Sequence, residues 1–161
     1  MSIKQSFTLL FLFAKLRLQV MKILDLIFPI KEAYAHCDIP CGIYETNTAK
    51  VAAETVEKMV EKILAIPTKP TPQDRNNFTR MVSVKEEHAE ACKRQILILW
   101  TDFFKEENLA DFPNLHDLVW KTTKLCSTNK REVNAEAAKD LRDQVDQIAE
   151  IFSKVKATAK K

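Results

Sequence analysis

The chain has 161 residues, 46% of them hydrophobic and 29% charged, which suits a single soluble domain with a real core. One glycine and six prolines leave little material for hairpin turns and argue against a β-sandwich. The net charge of +3 lies wholly in residues 1–35; residues 36–161 hold 20 basic and 20 acidic groups, so the basic excess expected of a nucleic-acid binder is missing.

Residues 1–35 read as a removable leader. SFTLLFLFA is an uncharged apolar run, and LRLQVMKILDLIFPI is apolar with interruptions. The longest stretch without a charge, 5–14, is shorter than the roughly 20 residues a spanning helix needs, so no stable membrane insertion is expected. Ala33-Tyr34-Ala35 satisfies the small-x-small rule for cleavage. The best apolar block ends far upstream, at Ala14, and the nearer one contains Asp25 and Pro29. A processing peptide therefore competes with an export signal. The expectation is a protease that cuts after Ala35 and a mature domain over 36–161. That domain is expected in the cytoplasm, or exported if the leader acts as a signal. Met1 and Met21 are both possible starts.

HCDIPCGIY, residues 36–44, contains the sole glycine, Gly42, which allows a sharp return of the chain. Cys37 and Cys41 stand on either side of a short bend and can converge on one point. No second Cys pair completes a tetrahedral zinc site. If the chain begins at His36, its α-amine, the Cys37 amide nitrogen and the two thiolates form an N2S2 set, which in a plane suits nickel or copper(II). The His36 imidazole can reach an axial position. The competing reading is a non-enzymatic helical interaction protein in which this loop is a Cys37–Cys41 disulfide or binds zinc.

Downstream, the pattern is helical. Val51, Val56, Met59, Val60, Ile63 and Leu64 form one apolar stripe, with Asn47 as N-cap and Pro67 as terminator. A second helix is predicted over 74–107, its stripe running Phe78, Met81, Val82, Lys85, His88, Cys92, Ile96, Leu99, Phe103. Residues 108–111 read as a break, with Pro113 in the first turn of the next helix. Leu115, Leu118, Val119, Thr122, Leu125 and Cys126 form the third stripe, and 126–134 reads as a polar connector. Asn134 is expected to cap the last helix, whose apolar face is Ala138, Leu141, Val145, Ile148, Phe152 and Val155. Four such helices with short loops predict an all-α, antiparallel four-helix bundle. Cys92 and Cys126 are expected to be buried small hydrophobes, and Trp100, Phe103 and Phe104 to serve as core or subunit contacts.

HCDIPCGIY resembles the nickel hook of nickel-containing superoxide dismutases, His-Cys-x-x-Pro-Cys-Gly-x-Tyr. The resemblance continues through VKEEHAE and LILWTDFFK and covers essentially all of 36–161. It implies a nickel-dependent superoxide dismutase that disproportionates superoxide through a Ni(II)/Ni(III) cycle, with one nickel per subunit. Its implied ligands are the amine and imidazole of His36, the amide and thiolate of Cys37, and the thiolate of Cys41. It also implies a catalytic role for His36 and Tyr44, with Tyr44 at the mouth of the site, a dedicated protease for the leader, a homohexamer, and a cis Ile39–Pro40 bond. The chain departs from the pattern at Ala52 and His88, where some members carry a Glu and an Arg that hold the axial His ring.

Overall fold

The computed structural model describes residues 38–40 and 42–158, together with Lys15, Arg17 and Gln19. The chain divides into two compact units, 1–36 and 37–161. In the first, the three described residues are helical and exposed. The second is all-helical among its described residues. Its elements are α1 (Asn47–Leu64), α2 (Pro72–Ile98), a π-helical turn (Leu99–Phe103), the short α3 (Glu106–Asp111), α4 (Leu115–Arg131) and α5 (Ala135–Thr158).

The four long helices form a ring in which α1 packs on α2 and α5, and α4 packs on the same two. The pairing is antiparallel throughout. Lys50 meets Asp146 at 2.8 Å and Glu57 meets Arg142 at 3.3 Å across α1 and α5. Glu90 meets Lys130 at 2.9 Å, and Lys93 meets Ser127 at 3.3 Å, across α2 and α4. The core is aliphatic: Val56 and Val60 from α1, Ile96 from α2, Leu115 from α4, and Leu141, Val145 and Ile148 from α5 are essentially inaccessible. Removing this apolar surface from water is the main drive for assembling the ring. Among the described residues no helix is long and apolar enough to cross a membrane.

Several boundaries differ from the sequence expectation, each for a local reason. α1 is capped by Glu45, not Asn47: the Glu45 carboxylate accepts from the amides of Asn47 and Thr48 and from the Thr48 hydroxyl. The Thr48 hydroxyl, followed by these amides, holds the Glu45 carboxyl below the usual range, against partial burial. α2 begins at Pro72, where Thr71 and Asp74 form a reciprocal capping box. Its first nine residues lie outside the core, so Phe78 is exposed, as are Val51 and Leu64 of α1. The predicted break at 108–111 belongs instead to α3; the chain actually breaks at Phe104–Lys105, after the π turn. Pro113 precedes the Asn114 cap of α4 rather than entering the helix.

α4 runs on to Arg131, through most of the predicted connector, because a cation meets its end. Lys85 of α2 is buried, and its ammonium donates to the carbonyls of Asn129, Lys130 and Glu132. These include groups with no partner inside the helix, at the end where positive charge is favoured. Burial pulls the Lys85 pKa down; three carbonyl acceptors hold the proton in place. Asn129 completes the corner by donating to Leu125 O at 3.0 Å and Ala137 O at 2.9 Å. Asn134 caps α5 as expected, accepting from the Ala137 amide at 3.1 Å.

Candidate metal centre

The hook stands at the end of the bundle where α2 gives way to the π turn. Asp38, Ile39, Pro40, Gly42, Ile43 and Tyr44 are described; the expected ligands His36, Cys37 and Cys41 lie outside the described residues. The chain reverses between Pro40 and Ile43, with the Ile43 amide 3.4 Å from the Pro40 carbonyl. Gly42 is the third residue of this turn, with φ +96°, and a Cβ there would meet nothing within 4 Å. Backbone conformation, not space, is what calls for glycine. The Ile39–Pro40 bond is trans, against the cis bond the resemblance implies; trans is the lower-energy form of an X–Pro bond.

Two contacts tie the hook to the bundle. The Asp38 amide donates to Asp102 Oδ2 at 2.9 Å. Lys156, near the end of α5, donates to the Tyr44 carbonyl at 2.8 Å while its ammonium lies 5.2 Å from the Phe152 ring centroid. Ile39 packs on the edge of the core.

Tyr44 is buried, 5% exposed, in an aromatic cluster. Its ring centroid is 5.7 Å from that of Phe103, which in turn lies 4.4 Å from Phe152 and 5.2 Å from Phe104. A cavity of about 690 Å³ opens beside Gly42 and Tyr44, with Asp102, Phe103, Lys105 and Lys156 in its walls. Sequence reasoning expected Phe103 and Phe104 as core or subunit contacts without linking them to Tyr44. It passed over Asp102 and Lys156, although Asp102 lies inside the quoted LILWTDFFK.

At the two departures, Ala52 is buried in the face of α1 and offers no polar group. His88 is half-buried, with Nδ1 at 2.9 Å from the Val84 carbonyl one turn back. Cys92 and Cys126 are free thiols and fully buried. A thiol–thiol hydrogen bond with Cys92, and then burial, push the Cys126 thiol far up. His116 is exposed, its ring against Trp100 at 5.5 Å. Among the described residues no three His, Cys, Asp or Glu side chains form a metal-binding group.

Residues 31–156 match the family model described as nickel-containing superoxide dismutase. The superoxide dismutase [Ni] of Streptomyces coelicolor is 34% identical over 76% of this chain and 88% of its own. That of Streptomyces seoulensis is 33% identical over 80% and 93%. Among solved structures, a native nickel superoxide dismutase superimposes with a TM-score of 0.65 at 34% identity, covering 75% of this chain and 99% of the other. One with nickel ligation corresponding to the oxidized state gives 0.66 at 32%, covering 76% and 99%.

Proposed function

The chain belongs to the nickel-containing superoxide dismutases, and we propose that its nickel is held by the first residues of the processed protein. It is a nickel-dependent oxidoreductase that converts two superoxide ions and two protons to oxygen and hydrogen peroxide. The reading of the hook as a disulfide or zinc loop in a non-enzymatic protein is not favoured by these relatives.

In the proposed site, a protease removes residues 1–35 and frees the His36 amine. That amine, the Cys37 amide nitrogen and thiolate, the Cys41 thiolate and the His36 imidazole would hold the nickel. The donor chemistry fits: thiolate and anionic amide are strong electron donors, suited to nickel and unsuited to hard, oxygen-seeking cations. When bound, nickel supplies the one-electron exchange with superoxide by alternating between Ni(II) and Ni(III). The chain's task is to deprotonate and place the ligands, and binding therefore releases protons. The observation that carries this reading is the fixing of the hook on both flanks of its turn, at Asp38 by Asp102 and at Tyr44 by Lys156. Tyr44 would narrow access to the metal.

The same reading makes the protein a homohexamer. Leu64, Phe78 and Trp120 are 58%, 44% and 54% exposed on one chain, large apolar groups that subunit contacts would cover. An active monomer in light scattering would contradict it.

The ligand set is tested by replacing each thiol separately. Cys37→Ser and Cys41→Ser should each purify with almost no nickel and no dismutase activity, while circular dichroism keeps its helical form. Full nickel occupancy in either variant removes that sulfur from the set.

A further inference from the structure

The Asp38 peptide joins the hook to the proposed ligand Cys37. Its N–H is held by Asp102 Oδ2 at 2.9 Å, across 64 residues of chain. Asp102 is itself oriented: the Thr101 hydroxyl lies 2.8 Å from its other oxygen, Oδ1, and 2.9 Å from the Leu97 carbonyl. A carboxylate accepting from an amide makes a charge-assisted bond, stronger than a neutral one.

The position of Asp102 depends on the π turn. The Phe104 amide donates to the Leu99 carbonyl at 3.0 Å, five residues back, instead of the four of an α-helix. The wider turn lets neighbouring residues serve both parts of the hook: Asp102 takes the Asp38 amide and Phe103 packs on the Tyr44 ring. Such turns mark functional sites often enough to ask what this one provides.

We infer that Asp102, oriented by Thr101 on the π turn, is a positioning residue for the nickel hook: it fixes the Cys37–Asp38 peptide so that the Cys37 donors are presented to the metal. This rests on the ligand reading above. The peptide that joins Asp38 to Cys37 is held by the bundle, so less ordering is left for nickel to impose. Partners of this outer kind are commonly worth 10–100-fold in metal affinity.

The test is competition for nickel between the processed protein and a chelator, with unfolding in urea measured alongside. Asp102→Ala should lower nickel affinity about 10–100-fold and speed exchange of the Asp38 amide in the nickel-loaded protein. Its urea midpoint should stay close to the parent's. Asp102→Asn keeps both the volume and an oxygen acceptor and should restore affinity to within about threefold of the parent. Unchanged affinity in Asp102→Ala overturns the proposal. So does a loss of nickel in both variants matched by an equal fall in urea midpoint. Cys41→Ser separates the two levels. If it loses nickel while Asp102→Ala does not, the anchor alone is wrong. If it keeps nickel, the ligand reading fails and the anchor falls with it.

Discussion

A processed chain carrying one extra alanine before His36 will lose nickel and dismutase activity while remaining helical. Every side chain of the hook is kept, as are the turn at Gly42 and the anchors at Asp102 and Lys156. What changes is one nitrogen. The α-amine moves a residue away, and the nitrogen at His36 becomes an amide, a poor ligand unless deprotonated. The five-membered chelate with the Cys37 amide loses its amine end. Removing a direct ligand should cost more than the roughly 100-fold that loss of an outer partner can cost. A disulfide cap, or a zinc site built from side chains alone, would be indifferent to the extra residue. Nickel analysis and superoxide turnover decide the matter. An extended chain that matches the parent in both would show that the terminal amine is not a ligand.

Lys85→Met will weaken the bundle far more than an ordinary lysine substitution. Methionine nearly matches the volume but leaves three carbonyls at the end of α4 without their shared donor. Hydrogen bonds to a charged group are worth about 1.5–3 kcal/mol, and the orphaned, buried Asn129 carbonyl adds a desolvation cost, so the loss should be about 3 kcal/mol in urea unfolding. Lys69→Met, on the exposed connector before α2, should stay within about 0.5 kcal/mol of the parent. Equal stability of the two variants would show that Lys85 is not the cap of α4. The hook lies elsewhere on the bundle, so the nickel content of folded Lys85→Met should be unaffected.

Where a pattern extends over many residues, the sequence was readable. The apolar spacing of α1, α4 and α5 placed Val56, Val60, Leu115, Leu141, Val145 and Ile148 in the core, where they lie. Periodicity also turned Lys85 inward, against its charge, but could not say why; the reason is a set of carbonyls 44–47 residues away. The π turn left no mark because 99–103 has the composition of any buried helix, and the change from four-residue to five-residue bonding is a property of the backbone. Asp102 was invisible as an anchor for a related reason: its partner is a peptide N–H, which every residue but proline carries. The cap of α1 was misplaced by two residues since Asn47 and Glu45 are both competent acceptors and only the entry angle of the hook chooses between them. The hook itself was legible because it gathers the chain's sole glycine and two of its four cysteines within nine residues.

Native mass spectrometry of the assembly purified from its source tests the central claim most directly, since one spectrum gives the chain's first residue, its metal and its subunit number. The account predicts six chains, each beginning at His36 and each carrying one nickel. Active, nickel-loaded chains that still carry Ala35 would contradict it, because no free amine would then stand where the metal needs one.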